Sequence, residues 1–335
     1  MKLDLFTHFV PQAFADRVRK TELGRLVVPR WQRLATLVDL DEHFRLMDEF
    51  DDYAQLPSLA NPPIEAYGPP ATSREIARVA NDALAELCSR HRGRFPSFVA
   101  NLPMNDPDGA VDEARRAVRE LGAAGVLLYT NVLGAPLSDA KFYPLFEAMS
   151  ELDHPIWLHP IRGPEHPDYR TESRSEHELW FTFGWPYETA LAMGRLVYSG
   201  LFDKLPNIKI ITHHLGGLVP YLEGKIAIGF RQAAEGDLER NPVAQEAGLK
   251  QPPLEYFKKF YGDTAVNGVA KAFECGLEFF GAEHCVFASD APFDPLGGAQ
   301  LIRASMRLVD ALAADVRAKI YSGNAYSLIP SLARA

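Results

Sequence analysis

Cysteine is scarce in this chain. Cys88, Cys275 and Cys285 are the only three in 335 residues, and they form no Cys-x-x-Cys pair. That spacing argues against a disulfide framework or a cysteine-held zinc module, and it fits a reducing compartment. Long apolar runs are missing too. None is long enough to cross a bilayer, and Met1-Lys2 leads into a strand-like segment with no signal-peptide pattern. The expectation is a cytoplasmic protein with no membrane partner. Positive charge is in deficit: 35 Lys and Arg against 44 Asp and Glu give a formal net charge of −9. This argues against a general nucleic-acid backbone binder. A small anionic substrate stays open, because a metal or a few arginines set the local potential. Glycine is absent from Thr7-His8-Phe9-Val10-Pro11, the turn after the first apolar run. A doubly wound nucleotide-binding sheet carries its glycine-rich phosphate turn there.

What is present is a regular alternation. Strand-like runs at Lys2–Phe6, Tyr53–Leu59, Phe95–Leu102, Gly125–Tyr129, Pro155–His159, Ile208–His213, Phe260–Ala265 and Cys285–Ser289 alternate with amphipathic stretches. The spacing predicts helices over Ser73–Arg90, Asp108–Leu121, Thr189–Ser199 and Ala299–Leu312, with Asp106-Pro107 as a start signal. Eight such strands close a (β/α)8 barrel in one domain, here 1–335. Two insertions interrupt the alternation, at about 12–40 after the first strand and about 161–185 after the fifth. Both would emerge where long loops build sites, as would the Pro-rich stretch Pro57–Pro70. Surface decoration or subunit contact is the alternative for all three.

Four polar clusters each end an apolar run: Phe6-Thr7-His8, Trp157-Leu158-His159-Pro160, Thr212-His213-His214-Leu215-Gly216-Gly217 and Ala288-Ser289-Asp290. Three imidazole-bearing strand ends and one carboxylate end suit a mononuclear metal site. Phe6 and His8 share the inward face of the first strand by alternation. Alone, His8 reads as a hydrogen-bonded core histidine, and His159 has the same alternative. Asp290 follows an apolar run, so its burial needs a metal, an arginine or helix-end amides to offset it. Of His213 and His214 only one faces inward on a strand. His214 is expected to act as a general acid/base or further ligand, and Thr212 and His213 to be structural.

Taken in order, Asp4-x-Phe6-x-His8, Asn101-Leu102-Pro103-Met104, His159-Pro160, Trp185-Pro186-Tyr187-Glu188-Thr189 and Ser199-Gly200-Leu201-Phe202-Asp203 resemble a known family. His214-Leu215-Gly216-Gly217, Ser289-Asp290-Ala291-Pro292-Phe293 and Gly323-Asn324-Ala325 extend the match along nearly the whole chain. The chain resembles the aminocarboxymuconate-semialdehyde decarboxylase and hydroxybenzoate decarboxylase branch of the metal-dependent amidohydrolase superfamily. The resemblance implies a distorted (β/α)8 TIM barrel with one divalent metal at the C-terminal strand ends. By position His8, His159 and Asp290 match ligands, and His214 matches a histidine that acts on metal-bound water or binds the metal. Lys225 falls where some relatives place an arginine reaching a neighbour's substrate, which implies a homodimer or higher homo-oligomer. Lysine lacks the bidentate grip of arginine.

One departure stands out. Relatives carry His or Glu where this chain has Phe6, which offers no donor. Three consequences stay open: His214 or water completes the shell, the metal binds weakly or only with substrate, or the protein works without metal. Asp4 faces inward but sits deeper on the strand. Zinc suits the His-rich donor set, with manganese or iron suiting more oxygen ligands.

The leading expectation is a non-oxidative decarboxylase of a small aromatic or unsaturated, hydroxylated carboxylic acid. His214 or Asp290 supplies the proton, Arg162, Arg30 or Arg33 pairs with the substrate anion, and Trp180 and His177 wall the pocket. The alternative is a metal-dependent hydrolase or hydratase acting on a lactone, ester, amide, diketone or unsaturated acid. A degenerate barrel kept for binding is a third reading, supported by Phe6 alone.

Overall fold

The computed structural model describes residues 1–228 and 248–334. Eight parallel strands form its centre: β1 (Lys2–His8), β2 (Tyr53–Ser58), β3 (Val99–Asn101), β4 (Gly125–Tyr129), β7 (Ile156–His159), β8 (Ile210–Thr212), β9 (Tyr261–Asp263) and β10 (Cys285–Val286). A small antiparallel pair, β5 (Asn131–Val132) and β6 (Ala135–Pro136), lies in the loop after β4. β1 pairs with β2, and the other six run in the order β10-β9-β8-β7-β4-β3. Nearly every residue of these strands is buried, as expected for parallel strands covered by helices on one face and packed side chains on the other.

The eight strands sit where the apolar runs place them, most of them shorter by a few residues. Phe95, Ser97 and Phe98, ahead of β3, and Phe287–Ser289, after β10, are buried but outside the regular ladder. Backbone bonds carry β1 across to the segment after β10: Leu5 N–H donates to Phe287 O (2.9 Å), Asp290 N–H to Phe6 O (3.1 Å) and His8 N–H to Ala291 O (2.8 Å). Asp4 reinforces that seam. Its carboxylate accepts from Ser289 N (3.0 Å) and from the Tyr53 hydroxyl (2.7 Å). The register of β1 on β2 shifts between Asp4 and Thr7, a bulge that re-aims the residues beyond it.

The helices follow their apolar spacing. Pro70–Arg90 starts on a proline at its first turn, and Pro107–Arg119 is capped by Asp106, whose side chain accepts from Gly109 N. Insertion 12–40 is itself helical, over Gln12–Val18, Glu22–Trp31 and Ala35–Val38.

Two apolar clusters divide the strand residues by alternation. Val126, Leu128, Ile156, Leu158 and Ile210 pack outward against the helices. Leu127, Tyr129, Trp157, Ile211, Val286 and Ala288 pack with Phe6 on the other face. His159 follows Trp157 by two positions, His213 follows Ile211 by two, and Asp290 follows Ala288 by two. The polar residues therefore continue the inner rows past the apolar layer.

Candidate metal and active site

His8, His159 and Asp290 bring their ligand atoms within 4.8 Å of one another, and His213, His214 and Asp290 do the same. Asp290 belongs to both sets. Its Oδ1 lies 3.1 Å from His8 Nε2 and 3.5 Å from His213 Nε2. Phe6 occupies the space beneath. Its ring centroid is 4.9 Å from that of His8, 5.6 Å from that of His159 and 4.7 Å from that of His213.

The four imidazoles are oriented in the same way. Nδ1 of His8 meets Leu59 O (2.9 Å), Nδ1 of His159 meets Pro160 O (2.6 Å), and Nδ1 of His214 meets Ala265 O. A carbonyl only accepts, so each Nδ1 carries a proton and each Nε2 faces the site. Nδ1 of His213 instead meets the Asp263 carboxylate, which also accepts from His214 N (2.9 Å) and Ala265 N (3.2 Å). Histidines held through the far nitrogen in this way are what metal centres use to fix tautomer and ring direction.

Burial and neighbouring charge set the protonation. His159 is pushed well below the ordinary histidine range by burial, and the charge of His213 adds to it. His214 is lowered for the same two reasons. Burial also lowers His213, but the carboxylates of Asp263 and Asp290 outweigh it and raise the imidazole. Burial would raise Asp290, yet the charge of His213 and the hydrogen bond with His8 hold it well below the usual carboxylate range. The donor chemistry fits a divalent cation: imidazole nitrogens around one ionised carboxylate, with a buried Nε2 of His213 that has no hydrogen-bond partner.

Both adjacent histidines reach this site, against the expectation that only one would. β8 ends at Thr212, and the chain then turns through left-handed residues, His214 (φ 51°, ψ 47°) and Leu215 (φ 47°, ψ 44°). Strand alternation no longer applies there, and the two rings lie 3.8 Å apart between centroids. Their roles differ by depth. His214 lines the cavity with His159 and Asp290, whereas His213 lies beneath it with its side chain 3% exposed. Asp263, absent from the candidates that the sequence offers, is a carboxylate ending an apolar run, the same signal that singles out Asp290.

The cavity holds about 790 Å³. Insertion 12–40 contributes Leu23, Val27, Arg30 and Trp31, the Pro-rich stretch contributes Asn61 and Pro62, and 161–185 contributes Arg162, Trp180, Phe181 and Trp185. Arg162 is already paired with Glu188 at 2.9 Å, so its charge is largely spent inside the wall. Arg33, His177 and Lys225 are exposed and are not among the residues lining the cavity. His177 stands beside Glu176 at 3.8 Å, with its side chain 84% exposed.

Residues 4–330 match the amidohydrolase family model. The chain belongs to the amidohydrolase family. The gamma-resorcylate decarboxylase of Polaromonas sp. is 35% identical to it over 273 residues, covering 79% of this chain and 81% of the relative. The 2-amino-3-carboxymuconate-6-semialdehyde decarboxylase of Dictyostelium discoideum is 26% identical over 313 residues, covering 89% and 83%. Among solved structures, a dihydroxybenzoic acid decarboxylase of Polaromonas sp. with bound manganese and the inhibitor 2-nitroresorcinol superposes with a TM-score of 0.81 at 30% identity, covering 100% of this chain and 98% of that one. The branch expected from the motifs is the branch these relatives represent, and they are carboxy-lyases.

Proposed function

We propose that this amidohydrolase is a metal-dependent decarboxylase, a carbon–carbon lyase that removes CO2 without oxidation from a small aromatic acid hydroxylated beside its carboxylate. The observation that carries the reading is the set of His8, His159 and Asp290, two of which, His159 and Asp290, line an aromatic-walled cavity, in a chain whose relatives are decarboxylases. The barrel reading goes with it: the eight strands close into one distorted (β/α)8 domain, supported by the backbone bonds between β1 and Phe287–Ala291. Free thiols at all three cysteines support a reducing, cytoplasmic setting. No helix among the described residues is long and apolar enough to cross a membrane. The reading includes a homodimer, for which exposed Lys225 is the residue to test.

His8, His159 and Asp290 would hold the metal. When bound, it supplies a Lewis acid that anchors the substrate's carboxylate and adjacent oxygen. The residues of the chain do the rest. Trp180, Phe181 and Trp185 exclude water and stack on an aromatic ring. Arg30 meets the anion at the cavity wall. Nε2 of His214, free because Nδ1 is bound to Ala265 O, takes a proton from the substrate's hydroxyl and returns it to the ring carbon that bears the carboxylate. As the new C–H bond forms, the bond to the carboxylate breaks, its electron pair returns to the ring, and CO2 leaves. A positioned acid of this kind contributes about 10²–10⁴-fold.

The donor types suit zinc, while the manganese of the Polaromonas structure makes manganese the second ion to load. The test is CO2 release from a panel of hydroxybenzoates with each metal, run beside acid release from lactones and esters. Turnover of a lactone with no CO2 from any benzoate would replace the lyase with a hydrolase. His214→Ala is expected to lower kcat by at least ~100-fold while metal content stays at the wild-type level.

A further inference from the structure

We propose that His213, steered by Asp263, is a metal ligand through Nε2 and takes the place in the coordination shell that Phe6 leaves without a donor. This rests on the metal-dependent reading above and specifies how its cation is held.

Three observations converge on that nitrogen. His213 Nε2 is buried and has no hydrogen-bond partner. An unpaired buried polar atom is costly, so a protein keeps one where something else satisfies it. Next, its partner atom is at the wrong distance for a hydrogen bond and the right one for a shared ion. Nε2 lies 3.5 Å from Asp290 Oδ1, beyond the range of a good N–H···O bond. Two atoms each about 2.1 Å from a tetrahedral ion lie about 3.4 Å apart. His8 Nε2 stands in a similar relation to the same oxygen, at 3.1 Å. Finally, the ring cannot turn away. Asp263 holds Nδ1 and is itself locked by His214 N and Ala265 N, while His159 stacks on one side (4.8 Å, 28°) and Phe6 packs edge-on at 4.7 Å.

Depth separates the two neighbouring histidines. His214 borders the cavity and is free to meet substrate, whereas His213 touches the inner residues Phe6, His159 and Asp263. A ligand belongs beneath the substrate and an acid/base group beside it. The rival occupant of the gap is a proton, with His213 as a cation paired to Asp290. That arrangement needs no metal at His213, and the experiment separates the two.

Wild-type protein, His213→Ala and His213→Gln are stripped and titrated with Zn²⁺ or Mn²⁺ against a competing chelator. Cobalt(II) is loaded in parallel for visible spectra. The expected result is one ion per wild-type chain, affinity at least ~10-fold weaker in the variants, and shifted cobalt bands from the lost imidazole. Glutamine keeps most of the buried volume, so it carries the comparison if the alanine chain does not fold. Affinity within twofold of wild type, or unmoved cobalt bands, overturns the assignment while leaving the decarboxylase reading intact. A wild-type chain that takes up no ion overturns both.

Discussion

Glu65 lies in the short helix Ile64–Tyr67 with one carboxylate oxygen buried and unpartnered. Burial raises its pKa from 4.5 to about 7. The neutral form is the one the fold accommodates. Its stabilisation is complete below the unfolded value and is lost as pH rises through about 7, a difference of about 3 kcal/mol. Glu65→Gln should therefore gain about 3 kcal/mol over wild type at pH 8 and less than half of that at pH 5 in urea titrations. Equal differences at both pH values would contradict this. Arg30 gives the opposite kind of residue, exposed and at the cavity rim. Arg30→Gln should raise KM by about tenfold with stability changed by less than about 0.5 kcal/mol; an unchanged KM removes it from the substrate's path. Single residues are legible in the sequence where type and place agree: His8, His159 and Asp290 each end an apolar run, and each reaches the site. Arg33 and His177 are legible only as cations in the right segments. Segment membership does not say which way a loop residue faces.

Among the elements, the turn after β8 decides the shape of the site. Its left-handed residues are held by Asp263, on β9, and by the two glycines next in the chain. Gly217 has φ +60°, and a Cβ there would meet Pro186 O at 2.6 Å, on the helix Gly184–Tyr198. Gly217→Ala should cost about 2–4 kcal/mol through strain and overpacking together. It should also weaken metal affinity, since the same turn carries both histidines. A variant as stable as wild type by thermal melting would show that the helix can give way. Strand periodicity locates β8 but has no means of predicting that turn. Alternation ends with the strand, and the path of the chain beyond it depends on a carboxylate 50 positions from His213. The two insertions and the Pro-rich stretch are legible as cavity walls, because a long loop after a parallel strand has few other places to go.

For the molecule as a whole, the proposed ligands come from β1, β7 and the segments after β8 and β10, so metal binding and folding would share free energy. At about a hundred times its Kd, a bound ion adds about 2.7 kcal/mol, which should raise Tm by several degrees. A chelator should reverse the shift, and His159→Ala should abolish most of it. A melting temperature indifferent to metal would mean the ion has no preference for the folded chain. The eight-strand plan is visible in the sequence because buried parallel strands read as apolar runs. The seam between β1 and Phe287–Ala291 is not. Asp4 meets Ser289 across 285 positions, and no local pattern announces such a partner.

His8 meets Asp290 across 282 positions, and this places the site late in the life of each molecule. A ribosome adding about 5–20 residues per second leaves the first imidazole waiting tens of seconds for the carboxylate it faces. Nascent chains released before residue 290 would lack the carboxylate of the proposed cation site, however much of the sheet they have already assembled.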